Sequence, residues 1–324
     1  MTQPSTPSDF DVQGTIARLF VYPVKSCAGV EVPEALLTET GLEFDRAWMV
    51  VDEAGEFVTQ RELPRMALIR PQLKQFEMVL RAPGMLALHI AYDRVEAPVQ
   101  VKVWKDTVAA YDMGDVAAQW FSDFLSEPGR PREDSPGRSQ ESSIPSGDDA
   151  ARSAASGGRR YRLARFDPEH KRLSSLQWTG GVEAEVQFAD GYALLVASEG
   201  SMAELNERLA AAGHAAVGIE RFRPNIVLAG LEAHDEDRVE MLHIATAEGG
   251  AQLQPVKPCT RCPIPDIDPA TATSSPEVGD TLRSYRADPR VGGAITFGMN
   301  LIVREGVEQM LKVGQAVGAN YRFD

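Results

Sequence analysis

Between Ser126 and Arg160 the chain is built of Ser, Gly, Pro and charged residues, with almost no large apolar side chain. Such a segment cannot bury enough surface to offset the entropy of ordering it. It therefore reads as a flexible insertion or interdomain linker, and its mixed charge specifies no partner. The 324 residues suffice for two domains. The division expected is a disordered tail over 1–13, one globular unit over 14–125, the linker over 126–160 and a second unit over 161–324.

The first unit reads mostly as strands. Thr15–Tyr22 is β-rich, and Ala47–Asp52 and Phe57–Thr59 flank the polar turn Glu53-Ala-Gly-Glu56, which predicts a hairpin. Leu86–Tyr92 and Val99–Trp104 look like another strand pair. Val116, Trp120, Phe121 and Phe124 recur at helical spacing and predict a helix over Asp115–Leu125. In the second unit, Tyr161–Arg165, Ala193–Ala197, Pro224–Leu228, Met241–Ile244 and Met310–Val313 read as strands. Ser198 looks like the N-cap of a helix whose apolar face is Met202, Leu205 and Leu209.

Two of the three cysteines sit in Pro255-Val-Lys-Pro-Cys-Thr-Arg-Cys-Pro-Ile-Pro-Asp266. The prolines predict a loop rather than a helix, and Lys257 and Arg261 favour the thiolate form of Cys259 and Cys262. Four readings compete. A structural zinc site needs four ligands, and the chain has no second Cys pair or His-x-His partner. A thioredoxin-type pair should open a helix, whereas Pro263 and Pro265 follow here. The pair could be buried and inert. One thiolate could instead bind a soft metal that brings its remaining ligands with it.

The surrounding motifs favour the last reading. With Glu220-Arg-Phe-Arg-Pro-Asn-Ile-Val-Leu228 upstream, the cysteine segment resembles the MOSC domain. Phe188-Ala-Asp-Gly-Tyr-Ala-Leu-Leu195, Ser198-Glu-Gly-Ser-Met-Ala-Glu-Leu-Asn206, Leu282-Arg-Ser-Tyr-Arg286 and Thr296-Phe-Gly-Met-Asn-Leu301 follow the family's order. At the N-terminus, Leu19-Phe-Val-Tyr-Pro-Val-Lys-Ser-Cys-Ala-Gly29 and Gly41-Leu-Glu-Phe-Asp-Arg-Ala-Trp-Met-Val50 resemble the β-barrel domain that precedes MOSC in one branch. That branch contains the amidoxime-reducing components and bacterial proteins that detoxify N-hydroxylated bases.

The resemblance implies a mainly β fold with some helix (α+β), an N-terminal β-barrel domain and a C-terminal MOSC β-barrel domain. It implies the molybdenum cofactor, with no pyridoxal phosphate, and reduction of N-hydroxylated small molecules such as hydroxylaminopurines and amidoximes. Matching to the family places the metal ligand at Cys262 rather than Cys259, with Cys27 left to packing. It places Lys25, Ser26, Arg46, Arg223 and Arg261 around the pterin and its phosphate, with Ser198, Asn225, Thr260 and Asn300 as hydrogen-bonding neighbours. Asp190 is the expected proton carrier, since cleaving N–OH consumes protons; Cys262 and Asp190 are thus the expected catalytic pair. Some bacterial relatives carry a fused ferredoxin domain; no such cysteine signature is present here. A separate ferredoxin, flavoprotein or cytochrome donor is implied. The runner-up functions are a sulfur or cofactor carrier using a persulfide or metal on Cys262, and a binding module with inert cysteines.

Composition sets outer limits. A net charge of −14 argues against general nucleic-acid backbone binding. Three cysteines make no disulfide framework, which fits a reducing cytoplasm. The start of the chain lacks the basic and apolar pattern of a signal or anchor, and no apolar run of about 18 residues predicts a membrane span.

Overall fold

The computed structural model describes residues 10–126 and 159–322. The expected linker therefore lies almost wholly outside the described residues, as does most of the expected tail. Strand Val12–Val21 begins within the segment expected to be tail.

Seven strands close into a barrel. Their order is Leu194–Ser198, Ile226–Ala229, Val12–Val21, Ala316–Tyr321, Val239–Ile244, Ala251–Thr260 and Ala294–Glu305, which pairs back onto Leu194–Ser198. Closure removes the exposed sheet edges that invite aggregation. Ile16, Leu19, Val196, Leu228, Leu242, Leu253 and Leu301 fill one buried cluster. The one parallel pair in the ring, Leu194–Ser198 beside Ile226–Ala229, needs a crossover. Helix Glu199–Ala211 lies within that connection. Ser198 caps it by accepting from the Ser201 N–H. Met202, Leu205 and Leu209 bury the expected face against Phe222 and Phe297.

A second body packs two sheets and a helix around Trp48. One sheet runs Trp48–Val51, Arg162–Phe166, Asp106–Asp112, Ala97–Val103; the other runs Arg70–Leu73, Glu77–Arg81, Leu88–Ala91. Helix Asp115–Leu125 has the predicted bounds. Its buried stripe centres on Ala117, Phe121 and Phe124, so Val116, about 100° of helix rotation away, is 77% exposed. The expected pairing of Leu86–Tyr92 with Val99–Trp104 is not formed. Leu88–Ala91 pairs with Glu77–Arg81, and Ala97–Val103 pairs with Asp106–Asp112 through a two-residue turn. Each strand takes a neighbour in sequence as its partner.

Strand pairing crosses the sequence division twice. Val12–Val21 belongs to the barrel, and Arg162–Phe166 returns to the sheet of the other body. The hydroxyl of Ser126 donates to the Arg159 carbonyl at 3.0 Å, which brings together the last residue described before the expected linker and the first described after it.

The proline-rich cysteine segment also departs from expectation. Ala251–Thr260 is a strand despite Pro255 and Pro258, and a loop begins only at Arg261. Its register with Ala294–Glu305 slips between Pro255 and Lys257 and again between Pro258 and Thr260. Irregularities of this kind are where a sheet tolerates the missing N–H of proline. Among the described residues, no helix is long and apolar enough to cross a membrane.

Candidate active site

The strand exchange brings two distant stretches of sequence to one cleft. Lys25, Ser26, Arg46, Thr59 and Arg61 line it from one side. The stretch Ala189–Tyr192, Phe222, Arg223, Asn225, Cys259–Cys262 and Asn300 line it from the other. Its cavity volume is about 130 Å³. Every residue expected at the site borders this cleft except Ser198.

Ser198 is fully buried elsewhere. Its hydroxyl accepts from the Ser201 N–H and donates to the Glu236 carboxylate at 2.9 Å. Sequence reasoning identified the cap correctly and assigned it a second role that the structure does not support. Burial pushes the Glu236 carboxyl up, while the Ser201 and Ser198 hydroxyls pull it back. Ser198→Ala is expected to cost about 1–2 kcal/mol, from the lost cap and the lost hydrogen bond to Glu236 Oε2, while Oε1 keeps the Ser201 hydroxyl. Thermal denaturation reads that loss, and ligand retention at the cleft should not change.

The cations are held in fixed positions. The Arg46 guanidinium bonds Asp45, the Asn225 carbonyl oxygen at 3.0 Å and the Arg223 backbone oxygen at 3.2 Å. Asp45 in turn accepts from the Tyr22 N–H at 2.8 Å. Arg223 donates to the Cys27 carbonyl at 2.5 Å. Both guanidiniums stack on the Tyr22 ring, at 4.5 and 4.2 Å from its centroid. Burial, then the nearby charge of Arg46, pushes the Arg223 pKa down to about 10. Ser26, Arg46 and Arg223 all have φ between +50° and +66°. Strain of this kind concentrates at functional sites, where surrounding contacts over-determine the backbone.

Asn225 works through its neighbours: it also accepts from the Leu195 N–H at 3.1 Å and donates to the Phe20 carbonyl at 3.1 Å. Asn300 donates to the Lys257 carbonyl at 3.2 Å and ties the cysteine strand to the next one.

Lys25 is buried and donates to the Phe188 carbonyl at 2.7 Å and to Asp190 Oδ1 at 2.5 Å. Burial lowers its pKa, and Asp190 partly restores it. Burial alone would raise the Asp190 carboxyl, but the Lys25 ammonium outweighs it and holds the carboxyl well below the usual carboxylate range. Asp190 borders the site as expected, paired with Lys25. The buried Arg172 fixes this segment, donating to the Gln187 and Ala189 carbonyls at 2.6 and 2.7 Å. Neither Arg172 nor Arg61 carries a motif that the sequence alone would single out.

Cys259 and Cys262 are both half-buried and both border the cleft. Cys259 receives the Arg261 guanidinium on its sulfur at 2.9 Å. Arg261 also donates to the Phe222 carbonyl at 2.9 Å, and its buried Nε has no partner. Cys27 is packed in the core, where burial pushes its thiol up to about 12. Among the described residues, no group of three or more His, Cys, Asp or Glu side chains is placed to hold a metal ion. Lys25, Arg46, Arg61, Arg223 and Arg261 outweigh the Asp190 carboxylate, and two sulfurs stand beside them. This donor set fits an anionic, many-edged ligand carrying a soft metal.

The MOSC N-terminal beta barrel domain matches residues 13–128, and the MOSC domain matches residues 183–318. The chain is 31% identical over 319 residues to mitochondrial amidoxime-reducing component 1 of Homo sapiens, covering 94% of this chain and 82% of that one. It is 32% identical over 286 residues to the Mus musculus protein of the same name, covering 85% and 73%. Molybdenum cofactor sulfurase of Bos taurus is 29% identical over 288 residues, 86% of this chain and 29% of that one. Domain matches on both sides of the cleft, together with relatives aligned along most of the chain, place this protein in the MOSC family alongside the amidoxime-reducing components.

Proposed function

We propose that this protein is a molybdenum-cofactor-dependent reductase of N-hydroxylated compounds. The observation that carries the reading is the convergence of Lys25, Arg46, Arg223 and Arg261 with Cys262 on one cleft drawn from both halves of the chain. The names of the relatives supply the reaction class. When bound, the cofactor supplies the two-electron redox chemistry. In the net reaction an N–O bond breaks, two electrons and two protons are taken up, and an amine or amidine and water are released.

The chain's own residues bind, orient and protonate. Cys262 is the thiolate for the metal. Arg46, Arg223 and Arg261 neutralise phosphate and polar pterin edges, with Ser26, Thr260, Asn225 and Asn300 ordering that shell. Lys25 is the better proton donor, since burial lowers its pKa toward the working range while Asp190 keeps it charged. Substrates of this reading are hydroxylaminopurines and amidoximes. Electrons come from a separate ferredoxin, flavoprotein or cytochrome, and the setting is cytoplasmic detoxification. The direct test is amidoxime reduction by protein loaded with the cofactor and driven by an artificial donor.

Asp190→Asn supplies a pH test. Removing the carboxylate takes away what raises the Lys25 pKa. Activity that needs the ammonium is lost as pH rises through that pKa, so the alkaline limb of kcat should move to lower pH in the variant. An unmoved limb would assign the proton to another group.

A second reading has one observation in its favour. Arg261 on the Cys259 sulfur suits a persulfide, and a cofactor sulfurase is among the relatives. A chain that carries transferable sulfur but no molybdenum or pterin would support it.

A further inference from the structure

Trp104 stands in the two-residue turn between strands Ala97–Val103 and Asp106–Asp112, with φ +56°. Positive φ in a turn favours Gly, Asn or Asp, and a bulky side chain there strains the backbone. The indole is 50% exposed, yet it is held from several directions. The Phe57 ring meets it edge-on at 4.9 Å. The Arg61 guanidinium lies 4.9 Å from its centroid and is itself fixed by Thr59 Oγ1 at 3.3 Å. The indole Nε1 donates to Asp190 Oδ1 at 3.3 Å. Arg61, Thr59 and Asp190 all line the cleft. Packing alone does not account for a half-exposed aromatic ring at a strained position, braced by cleft residues. Trp104 is not itself among the cleft-lining residues; through its contacts with Arg61 and Asp190 it presents a flat, apolar surface beside a polar site.

We propose that Trp104 is a specificity-determining residue whose open indole face stacks the aromatic ring of aryl-bearing N-hydroxylated substrates. This rests on the reductase reading above and narrows its substrate class. The lysine and arginines lining the cleft disfavour a cationic guest, so a neutral planar ring is the group that gains most from the indole face. Arg61 beneath the ring fixes its plane, and the Asp190 bond fixes its rotation.

Benzamidoxime and acetamidoxime share the reacting group and differ only in the aromatic ring, so they separate stacking from chemistry. Trp104→Gly is the main variant, because glycine is at ease at this φ and the turn should survive the change. Trp104→Phe keeps a ring. In cofactor-loaded enzyme, the kcat/KM ratio of benzamidoxime to acetamidoxime should fall about tenfold or more in Trp104→Gly, the loss expected for one ring stack. It should stay within about threefold of wild type in Trp104→Phe. An unchanged ratio in Trp104→Gly overturns the proposal, even if both rates fall together. If the wild-type enzyme reduces neither amidoxime, the reductase reading fails on its own account. Calorimetric binding of benzamidoxime then decides the platform: weaker binding in Trp104→Gly sustains it, and equal or absent binding in both proteins overturns it.

Discussion

Cys262→Ser is expected to lower amidoxime reduction by more than about 100-fold, beyond the loss typical of removing an outer-shell partner at a metal site. A hydroxyl is a poor substitute for a thiolate at a soft metal, and the other donors at the cleft are nitrogen and oxygen groups apart from Cys259. Cys259→Ser should retain substantially more activity. Its sulfur is engaged by Arg261 at 2.9 Å, which suits a charge-setting neighbour of the ligand. Steady-state rates of the two variants at equal cofactor loading give the comparison. If Cys259→Ser proves the more damaging, the ligand assignment is reversed and the Arg261 contact marks the metal-binding sulfur instead.

Lys25→Met is expected to reduce kcat by about 100-fold, the lower end of what a positioned general acid contributes, while leaving thermal stability nearly unchanged. The reasons are separate. The ammonium is the donor best placed beside Asp190, so the proton-dependent step loses it. Its burial is costly to the folded state and is only partly offset by Asp190, and the Asp190 carboxylate left behind is 64% exposed, so water solvates it and no buried charge is stranded. Comparing kcat with the melting temperature separates the two effects. A large drop in melting temperature with a proportionate loss of folded protein would make Lys25 a structural anchor rather than a proton donor.

Where the physics was local, the sequence was readable. Helix Asp115–Leu125 and the Ser198 cap follow from spacing and capping chemistry, both set within a few residues. Pairing was harder, because a strand's partner depends on the turn that follows and on distant chain. Leu88–Ala91 and Ala97–Val103 were recognisable as β-rich, yet each pairs with a strand that was not anticipated. The exchange of Val12–Val21 into the barrel left no local signal at all. Pro255 and Pro258 pointed to a loop, whereas shifts in register let a strand pass through them.

The site shows the same split. Motif resemblance reached Lys25, Arg46, Arg223 and the cysteine pair, which the fold brings to one cleft. It gave Ser198 a role that its burial with Glu236 leaves no room for. The Lys25–Asp190 contact at 2.5 Å joins residues 165 positions apart and leaves no mark in the sequence. Arg61, Arg172 and Trp104 carry no spacing pattern, and only their contacts reveal them.

The cleft is proposed to hold the molybdenum cofactor through Cys262 and cations from both halves of the chain. The most direct test is the molybdenum and pterin content of protein purified from a host that makes the cofactor, with Cys262→Ser prepared alongside. Stoichiometric molybdenum and pterin in the wild type, with the metal lost from the variant, is the result the account predicts. A wild-type protein devoid of both, or a variant that retains the metal equally well, would contradict it.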